Sequence, residues 1–356
     1  MSQEALDQPA TIRSGEELDE KILAKYLQDK IDIAGEISIL QFPSGFSNLT
    51  YFIQSKEKEY VLRKPPHGAN IKSAHDMGRE FKVLSLLKPV YPYVPEPILY
   101  EEDPSILGGP FYLMERVKGV ILRNRAPKGV DLTPALMKSI SEKAIDHLAA
   151  LHRLDLDNGL KDFGNPEGYN QRQVSGWIKR YFNAETDAIP MMNKAAEWLT
   201  SNVPDKNIAA FIHNDYKYDN LVLNPSNLAD ITAVLDWEMA TIGDPLMDLG
   251  TTLGYWGEPD DSEALKPFNL TWLPGNLNRE EVALRYAQQA NQDMGNLVFY
   301  YVFGSFKIGV IVQQIYARYK KGLTKDPRFA ALLYVVKACA QNASNAIKFN
   351  RISNFK

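Results

Sequence analysis

The stretch "FIHNDYKYDN" (residues 211–220) constrains this chain more than any other. It gathers a histidine, two aspartates, a lysine and two asparagines within ten positions, bracketed by Phe211 and Ile212 on one side and by "LVLN" from Leu221 on the other. Sixteen residues past Asn220, the apolar run "ITAVLD" ends in Asp236. Short apolar runs of this kind read as strands. The polar groups therefore lie between strand-like runs, and a carboxylate closes the next one.

The pattern on either side is uneven. Residues 1–15 read as a flexible tail, after which Leu18, Ile22, Leu23, Tyr26 and Leu27 fall at helical spacing. "ISILQF", "NLTYFIQS" and "EYVLRKP" are strand-like, with "SKEK" (55–58) as the turn between the second and third. "MGREFKVLSLLK" (77–88) returns to a helical period. The proline-rich "PVYPYVPEP" cannot be helical inside, and "ILYEE" and "PFYLMERV" add two more strands. Beyond Gly119 the chain is mainly helical, through "LMKSISEKAIDHLAALHRL" (136–154), "RQVSGWIKRYFNA" (172–184), "MMNKAAEWLTSN" (191–202), "REEVALRYAQQA" and "VFGSFKIGVIVQQIYARYKKG". The fold class expected is α+β. A small β-rich lobe over 16–117, five strands and a helix, is followed by a larger helical lobe over 118–356.

Composition narrows the partners. The 356 residues carry a net charge of −4, which argues against a general nucleic-acid binder. No apolar run approaches the roughly 20 residues of a membrane span, so no membrane partner is expected. The polar, acidic N-terminus has neither the apolar core of a signal peptide nor Arg-rich transit character. The single cysteine, Cys339, excludes a disulfide framework and a Cys-based zinc site, and it sits in an apolar helical pattern. These features together point to a cytoplasmic, reducing compartment.

Phosphoryl transfer asks for the groups that the opening stretch supplies: a base for the accepting hydroxyl, oxygen ligands for metal ions that bridge the phosphates, and cations that offset charge. "HNDYKYDN" has the spacing of a kinase catalytic loop. Asp215 would accept or orient the hydroxyl proton, and Lys217 would reach the γ-phosphate. Asn220 would offer a neutral oxygen to Mg²⁺ and Asp236 the main carboxylate, since Mg²⁺ takes only one or two protein carboxylates beside phosphates and water. His213 would hold the loop through backbone contacts.

With "FIHNDYKYDNLVLNP", "VLDWEMATIGDPLMDLG", "YVLRKPP", "FYLMERVKG" and "FGNPEGYNQRQVSGWIKRY", the chain resembles the aminoglycoside phosphotransferase (APH) family of kinase-like enzymes. Within that family it is similar to the branch that forms the kinase-like N-terminal domain of acyl-CoA dehydrogenase family members 10 and 11, and "GNPEGYNQRQ" favours this branch. The matching pieces span most of residues 37–320. The resemblance implies a two-lobed protein-kinase-like fold, ATP, Mg²⁺ and a small-molecule hydroxyl as acceptor, with an acyl-CoA-linked hydroxyl such as a 4-hydroxyacyl-CoA as the branch's expectation. A sugar, amino alcohol or aminoglycoside stays open as the acceptor.

The same resemblance assigns the small lobe. Strand alternation puts Val61 and Arg63 on one face and Leu62 and Lys64 on the other. Val61 would cover the adenine. Arg63 would take the phosphate role usually held by lysine, its fork geometry suiting phosphate, with Lys64 as the alternative. Glu80 on the following helix would be its partner. The phosphate-covering loop would be "FPSGFSN" (42–48), with backbone groups and Ser44, Ser47 and Asn48 as donors in place of a glycine-rich motif. Backbone groups of Glu115 and Val117 in "LMERV" would bind the adenine edge.

Singly, these residues have plainer readings: Asp215 and Asp236 as turn caps, Lys217 as a solvated lysine, Arg63 or Lys64 as an edge-strand charge. Asp244 and Asp248 read as caps and loop braces, and His152 as packing beneath the catalytic loop. Two other functions compete with a kinase. One is a metal-dependent hydrolase built on His213, Asp215 and Asp236, which would not require Lys217 and Asn220. The other is a nucleotide-binding pseudokinase, against which the intact Asp215, Asn220 and Asp236 speak.

Overall fold

The computed structural model describes residues 5–31, 33, 35–43, 48–56, 58–66, 76–205, 208–324 and 326–355. The chain divides into two compact units, each with its own core. The first holds residues up to Val120 together with Val222–Asn227 and Ile231–Met239, and the second holds the remainder.

The first unit is built on a five-stranded antiparallel sheet in the order β1-β2-β3-β5-β4. Its strands are β1 (Ser38–Gln41), β2 (Leu49–Ser55), β3 (Lys58–Lys64), β4 (Pro97–Glu101) and β5 (Phe111–Glu115). Helix α1 (Glu20–Ile31) places Leu23 and Leu27 in a core with Tyr51, Ile53, Tyr60, Leu62 and Leu113. These are every second residue of each strand, so Val61 and Arg63 take the opposite face, as alternation requires. Helix α2 (Met77–Leu87) packs against β4 and β5. Asp76 caps it by accepting from the Arg79 N–H at 2.9 Å, which fixes the start of the helix and puts Glu80 in its first turn on the buried side. A short helix that the period did not indicate, α3 (Pro104–Leu107), lies between β4 and β5.

Two expectations change here. The described part of the segment read as a flexible tail is paired: Ala10 and Gln41 exchange backbone hydrogen bonds at 2.7 and 2.8 Å, and the Asp7 N–H donates to the Gly119 carbonyl at 3.1 Å. Backbone pairing needs no apolar side chains, so a polar stretch conceals it. The boundary near 117 also does not assign everything after it to the helical part. The hairpin of β7 (Leu221–Asn224) and β8 (Asn227–Val234) belongs largely to the first unit, tied there by the Val120–Leu223 bridge and by the Val234 N–H donating to the Tyr93 carbonyl at 2.8 Å. Asp236 follows that hairpin.

The second unit is mainly helical: α4 (Pro134–His152), α5 (Tyr169–Ala184), α6 (Pro190–Ser201), α7 (Pro245–Tyr255), α8 (Arg279–Ala290), α9 (Leu297–Lys320) and α10 (Leu332–Phe349). A small sheet pairs β6 (Ala210–Ile212) with β9 (Thr241–Gly243). Helix α9 is the core element, contacted by α5, α6, α7 and α10. It corrects the reading that no apolar run approaches a membrane span: by length and composition it would qualify, and it is apolar all round because helices cover it on several sides. At the α7–α9 crossing, Gly250 and Gly304 meet backbone to backbone, and a Cβ on either would collide with the other helix.

Candidate active site

The catalytic-loop stretch runs from β6 through a short turn into β7, and its polar groups form one hydrogen-bonded set within the second unit. Lys217 Nζ donates to both carboxylate oxygens of Asp215, at 3.0 and 2.7 Å. Asn220 Nδ2 donates to the Asp215 carbonyl at 2.8 Å and to its Oδ2 at 3.1 Å. The Asn220 Oδ1 accepts no hydrogen bond among the described residues, so it is an oxygen donor available to an external group. Lys217 also lies over the Tyr255 ring, 4.7 Å from its centroid. Burial would lower the Lys217 pKa, but Tyr255 and Asp215 outweigh it, and the ammonium is held charged.

Beneath the loop sits Asp248, fully buried on α7. Its two oxygens accept the backbone N–H groups of His213 and Asn214, both at 2.8 Å, and His152 Nε2 lies 3.1 Å away. Burial disfavours its charge, yet the bonds from His152 and His213 hold its pKa below the usual range. His213 is buried, and its Nδ1 accepts from the Asp215 N–H at 3.2 Å. Asp244 caps α7 through the Leu246 N–H at 2.9 Å. Both aspartates are therefore braces, and His152 packs beneath the loop, as their sequence contexts suggest.

The first unit carries a second charged cluster. Arg63 is buried on β3, 3.5 Å from Glu80, 3.1 Å from Asp236 and 3.7 Å from Glu238. Burial would strip its charge, and Glu80, Tyr112 and the two other carboxylates more than offset that. Its Nε is buried without an acceptor among the described residues. Lys64 turns the other way, its Nζ committed to the Leu107 carbonyl at 2.7 Å. Asp236 has φ +67, a left-handed conformation that aspartate tolerates better than most residues. Val61 is buried on the Arg63 face.

The remaining nucleotide-binding candidates of this unit lie as follows. Ser44 and Ser47 lie outside the described residues. Asn48 is buried and donates its Nδ2 to Glu238 Oε2 at 2.8 Å. That bond uses one of the two Nδ2 hydrogens and ties Asn48 to Glu238. Glu115 gives its N–H to the Glu96 carbonyl at 2.9 Å, so its N–H is not the group left for an adenine edge. The Val117 backbone makes no hydrogen bond with another described residue.

Among the described residues no three His, Cys, Asp or Glu side chains cluster as a metal site. Asn220 in the second unit offers a neutral oxygen and Asp236 in the first a carboxylate, and each by itself is the kind of oxygen donor that a hard cation takes.

Sequence reasoning did not identify Glu238, Tyr169, Asn170 or Lys307. Glu238 stands two residues past Asp236, where only its contacts mark it. Tyr169 and Asn170 sit in "GNPEGYNQRQ". Tyr169 donates to Asn214 Oδ1 at 3.3 Å, and Asn170 donates to Asp244 Oδ2 at 2.7 Å. Lys307 had a visible signal, as the one charge in the first sixteen residues of an apolar helix.

The profile of the phosphotransferase enzyme family, APH, matches residues 38–284. The chain belongs to the APH family. It is 36% identical over 331 residues to acyl-CoA dehydrogenase family member 11 of Gallus gallus, covering 90% of this chain and 42% of that protein. The chain thus spans about two fifths of the length of that relative. A Ralstonia eutropha structure, provisionally assigned as an aminoglycoside phosphotransferase, is 28% identical with a TM-score of 0.78, covering 92% of this chain and 99% of its own. A mutant aminoglycoside phosphotransferase in ternary complex with AMP-PNP and hygromycin B has a TM-score of 0.58 at 17% identity, covering 90% and 96%. This APH member has the protein-kinase-like fold.

Proposed function

We propose that this chain transfers the γ-phosphoryl group of ATP, with Mg²⁺, to a hydroxyl of a small molecule. The observation that carries this is the Asp215 carboxylate, held by Lys217 and Asn220 in a chain of the phosphotransferase family. Asp215 takes or orients the acceptor proton. Lys217 keeps its charge beside that carboxylate and meets the transferring phosphoryl group. Arg63, fixed by Glu80, holds the other phosphates, and Val61 covers the base. Asn220 Oδ1 and Asp236 would hold Mg²⁺, which when bound neutralises phosphate charge. The complex of a relative with an ATP analogue supports the nucleotide. The likeness to an acyl-CoA dehydrogenase family member makes an acyl-CoA-linked hydroxyl, such as a 4-hydroxyacyl-CoA, the first acceptor to try.

The direct test is nucleotide turnover across a panel of hydroxyl acceptors: 4-hydroxyacyl-CoAs, sugars, amino alcohols and aminoglycosides. ADP release that depends on one acceptor class supports the proposal. Thermal stabilisation by ATP should appear only with a divalent ion present, and equal stabilisation in EDTA would count against Asn220 and Asp236 as metal ligands. Arg63→Ala should raise the KM for ATP more than Lys64→Ala, because Lys64 is bonded to Leu107 on the other face of the strand. A larger effect from Lys64→Ala would move the phosphate role to that face.

A further inference from the structure

Asn214 precedes the proposed base and has φ +67. Three helices hold three of its polar groups. Its N–H donates to Asp248 on α7 at 2.8 Å, its Oδ1 accepts from Tyr169 on α5 at 3.3 Å, and its carbonyl accepts from Lys307 Nζ on α9 at 2.9 Å. That carbonyl and the Asp215 N–H belong to one planar peptide unit. The N–H edge is held by His213 Nδ1 at 3.2 Å. Lys307 therefore holds the opposite edge of the plane from which the Asp215 side chain projects.

We propose that Lys307 is a positioning residue for phosphoryl transfer, fixing the aim of Asp215 through the Asn214 carbonyl. The inference rests on the reading of Asp215 as the base. Lys307 is 2% exposed and forms no ion pair among the described residues. Its other neighbours are Thr251 Oγ1 at 3.4 Å and the Trp177 ring, with the centroid at 5.6 Å. A buried ammonium without a paired carboxylate is a poor way to stabilise a core. Its place is set by the glycine crossing of α7 and α9, which puts Lys307, one turn beyond Gly304, beside Thr251. The charged groups acting on it are Asp248 from α7, Asp215 and Lys217 from the loop, and Arg180 from α5. Burial lowers its pKa to about 8, against the pull of the two aspartates. Its charge is therefore present below that pH and lost as the pH rises through it.

The probe is Mg-ATP, with ADP release measured for the native chain, Lys307→Met, Lys307→Arg and Asp215→Asn, with water and with the hydroxyl panel. Lys307→Met keeps the length of the side chain and removes donor and charge. It should stay folded by circular dichroism and lose about 10- to 100-fold in kcat, the range of a charge-assisted hydrogen bond, with KM for ATP within about twofold. Lys307→Arg should recover most of the loss. Native kcat should fall as the pH passes through about 8, and Lys307→Arg, with its fixed charge, should keep its activity to higher pH. A folded Lys307→Met with native kcat overturns the inference. Should Lys307→Met fail to fold, Lys307→Gln takes its place, and a folded Lys307→Gln with native kcat overturns the inference as well. A different result, Asp215→Asn as active as the native chain or no turnover by the native chain with any acceptor, defeats the reading of the base itself.

Discussion

Asp215→Asn is expected to lower kcat by about 10²–10⁴-fold and to leave Mg-ATP affinity nearly unchanged, the size of effect that a positioned acid–base group supplies. The change keeps the shape of the side chain and removes its charge, so it is a cleaner test than alanine. Asn220 Nδ2 also donates to the Asp215 backbone carbonyl, which the substitution does not touch, so the turn should persist. The bonds from Lys217 to both carboxylate oxygens are what the variant weakens. The measurement is single-turnover transfer to the acceptor found by the panel, beside a calorimetric Kd for Mg-ATP. If Asp215→Asn abolished nucleotide binding while Asp236→Asn did not, the two roles would be exchanged. If neither affected transfer, the kinase reading of the loop would be wrong.

Asp236→Ala is expected to reduce turnover and metal-dependent nucleotide affinity together. Removal of one principal electrostatic stabiliser costs about 10²–10³-fold in rate, and a ligand of a bridging metal should lose at least that. The variant also takes one carboxylate from Arg63, which keeps Glu80 at 3.5 Å and Glu238 at 3.7 Å. Arg63 should therefore stay in place, and the loss should be specific to the metal. Titrating ATP with and without Mg²⁺ checks this. The native chain should gain affinity from the ion and Asp236→Ala should not. Near-native turnover by Asp236→Ala would remove Asp236 from the site.

The elements were largely legible. Period-two alternation in β2 and β3 gave the faces of the sheet, and with them the opposed directions of Arg63 and Lys64. Helical spacing gave α4, α5 and α6 to within a few residues. Where the reading failed, the deciding interaction was not periodic. The N-terminal pairing with Gln41 and Gly119 is backbone to backbone, and α3 is four residues long, too short for any pattern to repeat. The apolar length of α9 was missed because Lys307 and the small residues around it break its run of large apolar side chains.

The sequence by itself determined the order and chemical type of the groups: a base candidate, a lysine, an asparagine and a distant aspartate, with an arginine on an alternating strand. That much follows from local spacing, and local spacing settles which residues share a turn or a face. It does not settle which distant residues meet. The Asn48–Glu238 bond joins positions 190 apart, Arg63–Asp236 joins positions 173 apart, and Lys307 reaches the Asn214 carbonyl across 93. Those pairings were decided by the tertiary structure, because packing brings the elements together: a hairpin tied back to Val120 and Tyr93, and two helices that approach closely where Gly250 meets Gly304.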